Sequence, residues 1–243
     1  MKKRLRAEYE KRRLELSSKR ETDWSDLKID DYARAVYYDA ISGSELLYDA
    51  INNSLPFFVC RLGETELRMI RLMKLDSWQI NRLRISTCDV CNNAGFFPRK
   101  ISHIRRFCDV YLDSAYKADY LGIMLWQDEE YLMSKSDNLK GSFSAGILDP
   151  IYMDDNIWLE ALESKKVLVI SPFKESILEQ YKKKDELFRD KAILREFDLK
   201  VIKAVQSIGG RGAEGFMSWF DALEHMKQEI SEIDFDIALL VRT

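Results

Sequence analysis

Val167-Leu168-Val169-Ile170 is an unbroken run of four large apolar residues, three of them β-branched, entered from Lys165-Lys166 and left at Ser171-Pro172. A strand with one wet face alternates polar and apolar side chains. A strand that does not alternate is buried on both faces, the usual state in a parallel sheet covered by helices on each side. Phe57-Phe58-Val59-Cys60 is a second short run of this kind, after the turn residues Asn52-Asn53-Ser54 and Pro56. Further strands are predicted over 120–126, 199–205 and 235–241. Between them apolar residues recur at helical spacing over 31–51, with a break expected at Gly43, and over 66–75, 99–118 and 216–230. Pro172 suits the first turn of a helix beyond the strongest strand. Strands alternating with helices predict an α/β fold: an open, doubly wound, mostly parallel sheet with helices on both faces, rather than an eight-fold barrel.

At 243 residues, with 46% apolar and 12% aromatic residues, the chain can bury a sizeable core. No internal repeat, low-complexity linker or composition shift divides it, so 26–243 is expected to be a single domain preceded by a basic helix or tail over 1–25. Lys and Arg total 38 against 41 Asp and Glu, a formal charge of −3. That balance gives no global case for nucleic-acid binding, and an anionic ligand would have to be held locally. No window reaches the roughly 18 apolar residues of a spanning helix, and the N-terminus lacks the apolar stretch of a signal peptide. A cytoplasmic protein is expected, and the four cysteines Cys60, Cys88, Cys91 and Cys108 fit a compartment that keeps thiols reduced. Cys88 and Cys91 form a CxxC with no second pair, half of what a closed zinc site requires. Residues 1–20 hold nine Lys or Arg and three Glu. They read as a solvated helix or tail, with docking on an anionic membrane surface at its inner face as the functional alternative.

The segment with the most chemistry is Arg61-Leu62-Gly63-Glu64-Thr65-Glu66, at the expected strand-to-helix junction. Gly63 permits a tight turn or a close approach to a ligand, and Arg61 can grip a phosphate or carboxylate with two hydrogen bonds. Glu64 and Glu66 are hard oxygen ligands that could hold Mg²⁺ or Mn²⁺ against a nucleotide diphosphate. The same spacing fits a helix N-terminus whose dipole favours acidic residues. Asn92, Asn93 and Gly95, followed by Phe96-Phe97-Pro98, could hydrogen-bond and stack a sugar or nucleotide, and equally make an ordinary turn. Ser171 could hold a phosphate at the end of the strongest strand or simply be the N-cap of the following helix. The loop Gly209-Gly210-Arg211-Gly212 is a weaker anion cradle. The acids Asp128, Glu129, Glu130, Asp154 and Asp155 could each supply a second metal ligand or a base, or lie in solvated loops. His103 and His225 fall in helical stretches with no catalytic triad around them.

In order, Phe58 to Glu66, Asn92 to Pro98, Lys166 to Phe173 and Ile202 to Ser207 resemble a family of bacterial surface-polysaccharide biosynthesis proteins related to the glycosyltransferases of the GT-D fold. The resemblance runs from about residue 55 to the end of the sequence. It implies a Rossmann-like domain that binds a nucleotide-sugar and, with Mn²⁺ or Mg²⁺, transfers the sugar to a glycan, a lipid-linked glycan or a glycoprotein, as a hexosyltransferase. Arg61, Gly63 and Glu66 match the family's Arg-x-Gly-x-x-Glu motif, and Glu64 falls at a variable position. On this basis Glu66 and Glu64 are the expected catalytic and metal-binding residues, with Arg61, Gly63, Asn92, Asn93, Gly95 and Ser171 on the donor.

The chain departs from the family twice. Ser171 stands where the family has His before Pro-Phe. The sequence also stops before a glycine-rich loop, Gly-x-Tyr-Gly, that follows the Phe-Asp-Ile-Ala-Leu strand in relatives, so a truncated transferase is the expectation. The alternatives are a degenerate, non-catalytic glycan- or nucleotide-binding member and an unrelated phosphate-binding α/β enzyme.

Overall fold

The computed structural model describes residues 36–73, 87–124, 126, 129, 136–149, 157–187, 194–207, 209 and 211–240. The basic segment 1–25 lies outside them. In chain order the elements are β1 (Val36–Tyr38), α1 (Ala40–Asn52), β2 (Val59–Arg61), α2 (Glu64–Met73), α3 (Thr87–Asn92) and α4 (Ile101–Ala115). There follow β3 (Tyr120–Ile123), β4 (Gly141–Ser144), 3-10 turns at Ala145–Leu148 and Ile157–Leu162, and β5 (Lys166–Ser171). The chain continues through α5 (Lys174–Tyr181), α6 (Lys184–Leu187), β6 (Asp198–Lys203), α7 (Trp219–Ser231) and β7 (Ile237–Leu240).

Every described strand pair is parallel. The strands form two sheets, of order β1-β4-β3-β2 and β6-β5-β7, where a single sheet was expected. They are nonetheless built on a common core. Val167 and Val169 of β5 and Val201 of β6 pack in one cluster with Phe143 of β4, Leu47 and Ile51 of α1, and the 3-10 residues Trp158 and Leu162. The alternate residues of β5, Leu168 and Ile170, face the other way, into a cluster with Ile202 and with Met226 and Ile230 of α7. Leu121 and Ile123 of β3 likewise turn from the shared core onto Leu62, Leu67 and Ala115, beside α2 and α4. Helices therefore cover both faces, and the doubly wound, Rossmann-like α/β class is the observed one. No helix among the described residues is long and apolar enough to cross a membrane.

Three local expectations are corrected. Val36–Tyr38, read as part of a helix over 31–51, is a strand paired with Gly141–Phe143 of β4. Its three residues are too few to display a period of two. Strand β4 itself, Gly-Ser-Phe-Ser, carried no apolar run because two of its buried positions are Gly141 and Ser142. Gly43 does not break α1. It lies buried within that helix, where a Cβ would stand 2.6 Å from Ile147 Cδ1 and 3.1 Å from Phe143 Cβ. The helix begins at Asp39, whose side chain accepts the Ser42 N–H at 2.8 Å. Pro172 precedes α5 rather than entering its first turn.

The Gly43 contact yields a stability prediction. Gly43→Val adds three carbons against Phe143 and Ile147, both fully buried, and is expected to destabilise the fold by about 1–3 kcal/mol. Urea denaturation followed by circular dichroism measures it. An unchanged midpoint would show that α1 is not seated on β4 at this glycine.

Candidate functional site

Strand β2 ends at Arg61 and helix α2 begins at Glu64, so Leu62 and Gly63 make the whole connection, and both are buried. The Gly63 N–H donates to the Tyr111 hydroxyl of α4 at 3.0 Å, and its carbonyl accepts the Leu67 N–H at 3.0 Å. Glu66, in the first turn of α2, folds back over this glycine. A Cβ at position 63 would overlap the Glu66 carboxylate. A side chain at position 63 would push the Glu66 carboxylate aside, while the backbone there is not left-handed. Glu66 Oε2 is shut off from solvent and has no hydrogen-bond partner. Arg61 and Glu64 are half-buried. Two residues apart on a helix, Glu64 and Glu66 leave on different sides of α2, so the pair does not present a shared face. Among the described residues no three His, Cys, Asp or Glu side chains gather as a metal-binding group.

Arg61 pairs with Gly122 of β3, which places the exit of β3 beside the exit of β2. There Glu129, 1% exposed, accepts the Met124 N–H at 3.1 and 3.2 Å and the Trp126 N–H at 2.8 Å. Ionised acceptors make strong bonds to backbone donors, and this carboxylate is committed to holding its own loop. Asp128, Glu130, Asp154 and Asp155 lie outside the described residues.

Asn92 and Asn93, at and just past the end of α3, are exposed, while Phe96 and Phe97 are buried. The Phe96 ring lies 5.0 Å from Phe107 of α4 and 5.9 Å from Trp219 of α7, centre to centre. Gly95 sits at φ +68°, and a Cβ there would meet the Ser207 carbonyl oxygen at 2.8 Å. The Ser207 hydroxyl donates to the Gly95 carbonyl at 2.6 Å, and the Trp219 N–H donates to the Phe97 carbonyl at 2.8 Å. This loop is thereby fastened to the segment leaving β6 and to the start of α7. α2 shares a core with it, through Met69, Ile70, Val90 and Phe96. The two segments of greatest chemical interest are therefore joined through packing. Ser207 and Tyr111 were not among the predicted site residues, and the only sequence signal for Ser207 was its place in the ordered motifs.

Ser171 is fully buried at the end of β5. Its hydroxyl accepts the Phe173 N–H at 3.2 Å, and its carbonyl accepts the Ala204 N–H at 3.1 Å. Ser171 is not the N-cap of α5, which is Phe173; its hydroxyl instead closes a local turn two residues long. Arg211 is exposed, whereas Gly210 is outside the described residues. The His103 ring lies against Phe220, centres 6.2 Å apart, and His225 is 3.6 Å from Glu229 on the surface of α7. Cys91 is buried in the core, and the Cys88 side chain is outside the described set. Burial pushes the Cys60 thiol up to about 12, and burial with the neighbouring Asp109 charge does the same for Cys108.

Two predictions follow from this geometry. Ser207→Ala removes one hydrogen bond and is expected to cost about 1 kcal/mol, whereas Gly95→Ala, which also strains a left-handed backbone, should cost more than Ser207→Ala. Paired thermal melts give the order, and a Ser207→Ala midpoint equal to the parent's would show that the 95–207 contact does not fasten this loop. Because only thiolate reacts with alkylating agents, Cys60 and Cys108 should resist iodoacetamide at pH 8 in native protein and react rapidly in urea. Peptide mass mapping reads both states, and rapid native labelling would contradict the raised pKa of the half-buried Cys60 thiol or the burial of Cys108. Compared with protein-family models, with curated proteins and with solved structures, the chain matches none.

Proposed function

We propose that this chain is a divalent-metal-dependent glycosyltransferase of the hexosyltransferase type. It would move a sugar from a nucleotide-sugar to a glycan, lipid-linked glycan or glycoprotein acceptor in surface-polysaccharide biosynthesis. The observation that supports this reading most is Glu66 Oε2, a buried carboxylate oxygen without a partner at the exit of a parallel strand. Such an oxygen is costly to leave unsatisfied, and ligands of doubly wound sheets bind beyond the strand ends. Mg²⁺ is commonly held by one or two protein carboxylates together with substrate phosphates, so a single orphaned carboxylate fits the group. Bound there, it would neutralise the departing diphosphate.

The protein's own residues do the rest. Glu66 would hold the cation, and Glu64, leaving α2 on a different side, would not share it from the same face. Arg61 supplies a two-pronged grip on phosphate oxygens. Gly63 keeps the turn thin enough for Glu66 to lie over it, and the exposed Asn92 and Asn93 amides offer donors and acceptors to sugar hydroxyls. In this reading the enzyme works in the cytoplasm at the inner membrane face, where the basic segment 1–25 meets anionic lipid.

A second reading, a degenerate member that binds nucleotide or glycan without turnover, is favoured by Ser171. That residue stands where the resembled family carries His, and its hydroxyl, which accepts the Phe173 N–H, cannot act as an acid or base as an imidazole would.

Titration calorimetry with a panel of nucleotide-sugars and Mn²⁺ tests the proposal. Metal-dependent binding is expected, weakened at least about tenfold in Glu66→Ala, as for loss of a group that interacts with charge. Binding that ignores Glu66, or none with any donor, would sink it. Binding without release of nucleoside diphosphate in the presence of an acceptor would favour the second reading.

A further inference from the structure

Three features meet at one side chain. Tyr111 accepts the Gly63 N–H at 3.0 Å. Its ring packs against the cluster of Leu62 and Leu67 beneath the Arg61–Glu66 turn. The same ring packs against the cluster of Phe96 and Phe107 beneath the 92–98 loop, 5.8 Å from Phe107 centre to centre. A half-buried aromatic residue of α4 thus touches the supports of both segments, and its polar end reaches the one backbone donor of the Gly63 hinge.

We infer that Tyr111 is a positioning residue. Its hydroxyl fixes the Gly63 peptide so that Glu66 lies over the glycine, and its ring holds that turn in register with the loop bearing Asn92 and Asn93. The physical argument is short. Gly63 lacks a side chain, so its peptide is the most conformationally free in the turn, and a buried N–H must find an acceptor. With the phenol oxygen gone that N–H has lost its partner, and the peptide is free to rotate toward another. Any rotation moves the surface on which the Glu66 carboxylate rests. The ring alone would not prevent this, since packing resists translation of the turn more than rotation of one peptide plane. The consequence for ligand binding rests on the donor-site reading proposed above; the consequence for the Gly63 peptide does not.

Tyr111→Phe keeps the ring and removes the hydroxyl that accepts the Gly63 N–H, and two measurements on it separate the claims. In hydrogen exchange read by NMR, the Gly63 amide should exchange at least about fivefold faster in Tyr111→Phe than in the parent protein, the factor expected for one lost hydrogen bond. Amides of β5, remote from the turn, should keep their rates. An unchanged Gly63 rate overturns the inference, as does equal acceleration throughout the chain, which would mark a merely global loss of stability. Should Tyr111→Phe not fold, the parent decides: a Gly63 amide exchanging as fast as an unstructured one overturns the assignment, and a protected one supports it.

The second measurement is a double-mutant cycle on Mn²⁺-dependent binding of whichever nucleotide-sugar the parent takes. Tyr111→Phe should weaken binding about fivefold alone and hardly at all in a Glu66→Ala background, because it acts through Glu66. Independent, additive effects or unchanged binding overturn the positioning role. If the parent binds no donor, the transferase reading fails, and the Gly63 exchange rate alone decides the role of Tyr111.

Discussion

Within each of the two sheets every described strand runs parallel to its neighbours. Parallel neighbours cannot be joined by a tight turn, so each must be followed by a crossover that carries the chain back to the starting edge. The carboxyl ends of the strands consequently gather irregular backbone: Leu62-Gly63 after β2, Met124 and Trp126 after β3, Ser171 to Phe173 after β5, and Ala204 to Ser207 after β6. Between these ends β5 has no polar side chain from Val167 to Ile170, and each of those residues is packed in one of two cores. A polar side chain placed in that interior would lose water without gaining a partner. Among the described residues, polar chemistry is therefore left to the carboxyl edge of each sheet.

Most polar groups at that edge are consumed by closing it. Glu129 spends both carboxylate oxygens on two backbone donors, Ser171 caps its own turn, Ser207 binds the Gly95 carbonyl, and Tyr111 takes the Gly63 N–H. Each removes a backbone group that the irregular exits would otherwise leave unsatisfied. Among them Glu66 differs, because its Oε2 is withdrawn from solvent with nothing to bond. The distinction is one of accounting for donors and acceptors. A polar residue at a strand exit is a weak pointer to function until its hydrogen bonds have been traced, and tracing them here separates Glu66 from residues that looked equally promising.

The β5 strand was legible in the sequence because burial on both faces writes itself as an unbroken apolar run, and α4 and α7 were legible because their lengths allow several turns of helical spacing. Strand β1 was not, since Val36 and Tyr37 also satisfy helical spacing with Ala33 and Ala40, and pairing with Gly141–Phe143, over 100 residues away, decided the matter. β4 was hidden by its small residues. At the site, the link between Gly63 and Glu66 could be anticipated from three positions of spacing in one turn. The fastening of Gly95 to Ser207, 112 residues apart, could not, and neither could the hydroxyl of Tyr111 on a helix whose other residues read as packing. Local chemistry was readable, and closure across the fold was not.

Spacing and burial also decide between the two acids of the turn. In an extended loop Glu64 and Glu66 would project on the same side, as alternate residues of a strand do. Leu67 instead closes the first helical bond onto the Gly63 carbonyl, and once that bond forms the two side chains diverge. Glu66 turns back over Gly63, against the peptide that Tyr111 holds, and is the acid whose oxygen is desolvated. From there contact runs without interruption through the Tyr111 ring to Phe107, Phe96 and the loop that Ser207 fastens. The side chain as a whole is half-buried, so it is the one oxygen laid against Gly63, and not the whole carboxylate, whose missing partner is informative.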